Sequence, residues 1–312
     1  MVSAILIRVG QAALTLAGAA ALVWALQILA PGDPARQVLI ARGIESPSVA
    51  QVTAARAELR LEDPAYARLG HWFVGVVQGD LGTSWSTGRP VSVEIAERLP
   101  ATVRLTSVAL ALALAFAMPL ALLAVARRGR TADLAARFLM FGGAAVPTFV
   151  LGTVLLDVVA VRLGVGAILA DGSWSAVLLP ALPIAVATAA TWARVLRTVM
   201  VERSGSRFVE VAYARGSSRL RLLVVHLLPG AVPALLTAVG ISVGGLLAGA
   251  AVVETIFTWP GIGRFLVAAI AARDVPVVQA CVLFGVLAYV LASTLADAVA
   301  ALIEPGAADG RR

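Results

Sequence analysis

The residue types from which catalytic centres are built are scarce in this chain and stand apart. Its single cysteine, Cys281, lies within an apolar run, so there is neither a disulfide framework nor a multi-thiolate metal site. The two histidines, His71 and His226, are distant in sequence, and no paired acidic motif falls on an apolar stretch. Hydrolytic, redox and metal chemistry therefore lack a set of groups to perform them. All 25 basic residues are arginine. Without a lysine no Gly-x4-Gly-Lys-Ser/Thr loop can be written, so any ATP hydrolysis belongs to another chain.

The informative polar residues are gathered in residues 209–233, VEVAYARGSSRLRLLVVHLLPGAVP, between two membrane-length apolar runs. Phe208, Val211, Ala212, Leu220, Leu223 and Val224 recur at roughly helical spacing among charged positions. Gly216 can end one helix and turn into the next, with Ser217 or Ser218 free to cap the second. The spacing predicts a short helix, a glycine turn and a longer helix. A polar helix in this position suits a mechanical role, because it can dock a moving partner at the membrane surface. Read by composition alone, the same loop is also an ordinary solvated connection.

The elements that must position this loop follow from composition. The 312 residues are 60% hydrophobic and 14% charged, with a mean hydropathy of +0.92, far from the soluble norm of about a quarter charged. The expected fold is an all-α polytopic membrane protein. Runs of about 20 apolar residues predict six transmembrane helices at 9–30, 101–126, 134–161, 177–200, 233–257 and 277–303. The first run exceeds the ~7–15 residues of a signal-peptide core, so it reads as a retained span.

Arginines in the short loops give the orientation. Residues 127–137 hold four arginines against Asp133, and 202–229 hold Arg203, Arg207, Arg215, Arg219 and Arg221 against Glu202 and Glu210. Both loops are expected in the cytoplasm, as are both termini. The connector 31–100 then lies outside, its seven arginines balanced by eight acids. Within it, 46–61 reads as an amphipathic helix capped by Ser46, with Pro47 at its first position. The expected division is 1–30 (terminus and first helix), 31–100 (external connector), 101–303 (five-helix core containing the loop 202–229) and 304–312 (cytoplasmic tail). Pro119, Pro147 and Pro183 are expected to bend helices 2, 3 and 4. Gly240 with Gly244, and Gly245 with Gly249, offer close helix approach.

Ionisable residues inside spans are functional candidates, here Asp157, Glu254 and Asp297. Arg104 and Arg194 are near enough to span ends to snorkel.

Glu210, Ala212 and Gly216, followed by Leu228 and Pro229, resemble the EAA loop of ABC-importer permeases, with Val211 replacing the first alanine. Arg215-Gly216, Arg219, Arg221 and His226 resemble the peptide and nickel branch. The resemblance runs through the chain in order: Ala30-Pro31-Gly32-Asp33-Pro34, Glu58-Leu59-Arg60-Leu61-Glu62-Asp63-Pro64, Gly79-Asp80-Leu81-Gly82-Thr83-Ser84, Arg89-Pro90-Val91, Arg98-Leu99-Pro100-Ala101-Thr102, and Val253-Glu254 through Gly263-Arg264. The chain looks like the B-type permease subunit of a dipeptide, oligopeptide or nickel importer.

That resemblance implies a cytoplasmic coupling helix using Glu210, Ala212, Arg215, Gly216, Arg219 and His226, and a bacterial inner-membrane location. It implies a second related permease, two ATPase subunits that use ATP and Mg, and an external binding protein. No cofactor or metal is expected on this chain. Glu210 is expected to pin the coupling helix through an ion pair or hydrogen bond, either within the loop or to the motor; simple surface charge is the alternative. Glu254, at the outer mouth, either meets a cationic solute or fixes packing. Asp157 and Asp297 are further candidates for the path. Peptide and nickel remain open as cargo: the spans hold no histidine for Ni(II), though a chelated metal needs none, and the short loop with Asp171-Gly172-Ser173-Trp174 resembles nickel-type members. A secondary carrier is the rival class, but no internal repeat supports it.

Overall fold

A chain this apolar can satisfy its backbone in a bilayer only within each segment, which favours helices. A computed structural model describes residues 2–29, 32–166 and 169–303, and the described residues are helical apart from their turns and one bridge between Thr83 and Pro90. The helices are α1 (Val2–Leu29), α2 (Pro34–Ala41), α3 (Val49–Glu58), α4 (Ala65–Val77), α5 (Val91–Ala126), α6 (Thr131–Ala145), α7 (Thr148–Leu155), α8 (Leu178–Arg203), α9 (Arg207–Ala214), α10 (Arg219–Arg221), α11 (Leu228–Ile256), α12 (Ile262–Ala272) and α13 (Val275–Ile303). Two π-helical stretches, Leu156–Arg162 and Leu222–Leu227, extend α7 and join α10 to α11. The chain forms two units, one of residues 1–102 and 260–287, the other of 103–259 and 288–312.

In the first unit α2 and α3 close a small core of Ala35, Leu39 and Ala55, with Ile44, Val52 and Leu61 packed on it. Salt bridges Arg56–Asp33 (3.0 Å) and Arg42–Glu58 (3.2 Å) lie outside that core. α3 starts two residues later than its expected cap. Ser48 accepts from the Gln51 amide while the Gln51 side chain accepts from the Ser48 amide, and this reciprocal pair outcompetes Ser46. A second core joins Val91 and Ile95 of α5 to Ile262, Ala269, Val277, Ala280 and the buried Cys281. Beside it, Arg98 lies over the Phe265 ring at 4.1 Å.

The turn before α5 is held by one buried carboxylate. Asp274 accepts from the Ser84 hydroxyl (2.6 Å) and from the amides of Trp85 (3.1 Å) and Ser86 (3.0 Å). The preceding residue, Arg273, takes a left-handed conformation (φ 53°) that ends α12 and turns the chain into α13.

In the second unit, Ala113, Ala117, Ala121 and Ala124 of α5 pack with Met140 of α6, Trp192, Leu196 and Met200 of α8, and Leu223, Leu227 and Ala231. Small residues let these helices approach closely. Gly240 is such a place: a Cβ there would lie 3.0 Å from that of Ala296, whereas Gly245 and Gly249 have open space beside them. Asp133 of α6 forms a buried ion pair with Arg197 of α8 (2.9 Å) and accepts from the Gly129 amide (3.1 Å).

The membrane expectation holds in its general form and changes in detail. Among the described residues, four helical stretches are long and apolar enough to cross: Val91–Ala126, Leu178–Arg203, Arg219–Val243 and Val275–Ala296. The third expected span is not one bent helix but a pair, Thr131–Ala145 and Thr148–Arg162, at 95° to each other. Pro147 drives Val146 out of the helical region to ψ 120°, so the helix ends there. Pro183 and Pro119, by contrast, sit inside the unbroken α8 and α5. The second span starts ten residues early because α5 is 36 residues long, about 54 Å at 1.5 Å per residue. The expected first span falls on α1, where Ala13–Leu22 is a shorter apolar stretch. Its last residue, Ala30, as well as Pro31 and the tail 304–312, lie outside the described residues.

Replacing Asp274 with alanine strands two backbone donors and a hydroxyl in a buried site. The expected loss is about 3 kcal/mol, read as a lower unfolding temperature of the purified protein, with Asp274→Asn falling between the two.

Candidate functional site

The polar stretch between α8 and α11 folds as its residues dictate. After α8, Ser204 and Ser206 fold back on the chain, their hydroxyls donating to the carbonyls of Val201 (2.6 Å) and Arg203 (2.7 Å). α9 follows for two turns and is fastened at its start. The Phe208 ring meets the His226 imidazole edge-on at 5.5 Å, and Val209 packs on the core of the second unit. Gly216 then takes φ +82°, while the Ser217 amide bonds the Ala212 carbonyl (3.1 Å), a turn that favours glycine. Ser218 caps the next helix by accepting from the Arg221 amide (3.3 Å).

From there the backbone is helical without interruption through α10, the π-helical Leu222–Leu227 and α11. The fifth expected span thus begins at Arg219 instead of Pro233. Pro229 has no amide hydrogen and its ring crowds the carbonyl four residues back. The wider π-helical turn just before it provides the change of register that keeps the helix continuous.

Phe208, Val211, Ala212, Arg215, Ser217 and His226, together with Arg207 and Arg221, surround an open cavity of about 650 Å³. Around it the apolar side chains face outward: Tyr213 is 71% exposed and Leu220 69%. The surface is amphipathic, cationic around an exposed apolar patch, which is the composition of surfaces that can take a partner.

Of the expected coupling residues, Ala212, Arg215 and His226 line the cavity, and Gly216 forms the turn beside it. Arg219 opens α10 on the exposed side and is not part of the lining. Glu210 lies in the first turn of α9, exposed, where its charge suits the helix N-terminus. Among the described residues it has no ion-pair partner. A Cβ on Gly216 would meet nothing within 4 Å. Within this chain its requirement is therefore conformational.

Two charged lining residues, Arg207 and Arg221, were not among the expected coupling residues. Their signal was the helical spacing of cations on either side of Gly216. Also unforeseen was the close approach of Arg203 to Gly230, where a Cβ would clash with the guanidinium. A glycine directly after Pro229 was the available clue.

The candidates inside the spans fare differently. Glu254 is fully buried near Val253, Phe257 and Trp259, and presents nothing to a solute in this conformation. The packing alternative fits that burial. Thr258, four residues on, takes φ 54°, a strained conformation for a β-branched residue. Asp157 is half exposed and pairs with Arg162 at 2.7 Å within the π-helical end of the broken span. Asp297 has a side chain outside the described residues. Arg104 does not simply reach for a membrane surface: it donates to the Gly172 carbonyl. Beside it, the Asp171 carboxyl is held below the usual carboxylate range by hydrogen bonds from the Ser173 hydroxyl and amide.

Comparison with known proteins places this geometry in context. The family described as binding-protein-dependent transport system inner membrane component matches residues 99–309, the loop 202–229 included. Glutathione transport system permease protein GsiC of Salmonella choleraesuis (strain SC-B67) is 37% identical over 292 residues, 93% of this chain and 94% of that protein. GsiC of Escherichia coli (strain K12) is 34% identical over 284 residues, covering 91% and 92% of the two chains.

The Asp133–Arg197 pair offers a direct check on what holds α6 and α8 together below this surface. Asp133→Ala leaves a largely buried guanidinium without its partner and is expected to cost about 3 kcal/mol, while Asp133→Leu with Arg197→Met recovers most of it. Unfolding of these variants in denaturant measures both.

Proposed function

Because the chain belongs to the family of binding-protein-dependent transport system inner membrane components, we propose that it forms half of the translocation path of an ABC importer for small peptides, glutathione among them. The chain is a permease and not an enzyme; ATP is hydrolysed on a separate subunit. The observation that carries the proposal is the exposed amphipathic α9, joined through the Gly216 turn to one continuous helix that is long and apolar enough to cross a membrane.

In this reading six spans, with both termini and the loop 202–229 in the cytoplasm, put α9 against the ATPase subunits. The arginine distribution supports that orientation. ATP closes the motor dimer, α9 follows it, and the helix from Arg219 onward tilts as a rigid body. Ala212, Arg215 and His226 shape the docking cavity with Arg207 and Arg221, and Glu210 and Arg219 are exposed for contact with the motor. A second, related permease supplies the other half of the path, and an external binding protein delivers the cargo. ATP and Mg are bound by the motor subunits.

The peptide cargo is supported by the relatives, which are glutathione transport permeases. Nickel, free or chelated, is the alternative outcome. Neither Glu254 nor Asp157 is proposed to bind solute, given the burial of one and the local ion pair of the other.

Gly216→Asp adds a β-carbon to a left-handed turn and a charge to the docking surface. In the assembled complex, uptake and substrate-stimulated ATP hydrolysis are expected to fall at least about tenfold, equivalent to about 1.4 kcal/mol of lost coupling, with the permease still folded and inserted. Unchanged uptake and ATPase would contradict the coupling role. Calorimetry of the cognate binding protein with glutathione, dipeptides and nickel decides the cargo: tight binding of nickel alone would overturn the peptide reading.

A further inference from the structure

A cavity of about 570 Å³ lies within the first unit, apart from the coupling surface, and its volume is in the range of small-molecule sites, about 300–1,000 Å³. Two of its lining residues, Arg68 and Trp72, are one turn apart on α4 and so share a face. Arg68 Nε and Trp72 Nε1 are both buried donors without an acceptor among the described residues. Native proteins rarely leave buried N–H groups unpaired, and two on one wall of one cavity call for a common acceptor.

The rest of the lining narrows what that acceptor belongs to. Arg56 is already paired with Asp33 at 3.0 Å, so its charge is met. Glu62 and Asp63 are exposed at the rim and carry negative charge. The indoles of Trp24, Trp72 and Trp85 supply apolar wall between the two ends. The turn that brings the carboxylates there is strained: Arg60 takes φ 50°, a conformation few non-glycine residues adopt, while the Leu61 amide reaches back to the Arg56 carbonyl at 2.9 Å. Strain of this kind is kept where the surrounding structure has a use for it.

We infer that this cavity binds a small zwitterionic peptide, its carboxylate accepting from Arg68 and Trp72 and its ammonium group facing Glu62 and Asp63. The inference rests on the peptide reading of the cargo and adds a place where that cargo is held on the permease outside the spans. An ionised carboxylate satisfies both donors at once, as charge-assisted bonds. A metal ion would meet only N–H donors, and no lone pair, at Arg68 and Trp72.

The test uses the assembled transporter in nanodiscs and two probes, the dipeptide Ala-Ala and its C-terminal amide, with binding read by titration calorimetry. Saturable binding of Ala-Ala, about tenfold or more weaker for the amide, is expected. Trp72→Phe, which keeps an aromatic ring and removes the N–H, and Arg68→Gln are each expected to weaken Ala-Ala about tenfold and to leave basal ATPase unchanged. Equal affinities for the two probes, or no effect of either substitution, would overturn the inference. So would a thermal shift with phosphatidylglycerol that depends on Arg68 in place of peptide binding, since it marks a lipid site. A transporter that imports glutathione with the same KM in both variants overturns this inference and leaves the proposed function standing. Carboxylate-dependent binding of Ala-Ala by a transporter that imports only nickel does the reverse.

Discussion

The unbroken hydrogen-bonded helix from the Ser218 cap to Ile256 is the feature on which the rest of the molecule depends. A loop can be displaced without consequence, whereas a continuous helix carries displacement at one end to the other. Pro229 and Pro233 lie in its path, and each removes a backbone donor. The π-helical turn at Leu222–Leu227 keeps the ladder intact where the first of them would break it. Leu223, Leu227 and Ala231 then bury this part of the helix in the alanine-rich core, so movement of the helix is movement of that core. α9 stays outside, fastened by Phe208 and Val209 and otherwise open to a partner.

Buried polar groups act as fasteners at the places where helices alone would leave the chain loose. Asp274 gathers the turn before α5, and Asp133 ties α6 to α8 and to the Gly129 turn. Each carboxylate is surrounded by donors, which is the condition under which a buried charge is tolerated. The arginines divide in the same way. Arg197 is engaged in an internal pair, while Arg215 and Arg221 remain at the surface. Formal charge therefore says little until each residue's partner is known.

How much of this could be read beforehand depends on the range of the interaction. The helix, glycine turn, helix sequence around Gly216 was legible, because a φ > 0 turn and a serine cap are decided by neighbouring residues. The apolar runs were legible for the same reason, and the changes came at their ends and at the break in the third. The extension of α5 to Val91 was hidden, since polar residues such as Glu94 and Glu97 read as connector until their helical packing is seen. The break at Pro147 and the continuity through Pro183 could not be told apart, as both are prolines in apolar runs. Burial of Glu254 and the partner of Asp133 are long-range outcomes, and a residue's own neighbourhood in sequence does not contain them. Glu210 sits in the loop as expected, but no ion-pair partner for it lies among the described residues of this chain.

If α9 is the surface met by a separate motor, site-specific cross-linking shows it most directly, with Cys281→Ser as background and single cysteines at Tyr213 on α9 and at Val77, exposed at the end of α4. In the assembled complex, Tyr213→Cys should cross-link to an ATPase subunit and Val77→Cys should not. An assembled, transport-active complex in which Tyr213→Cys is labelled freely by solvent reagents and never joins the ATPase would contradict this role for α9.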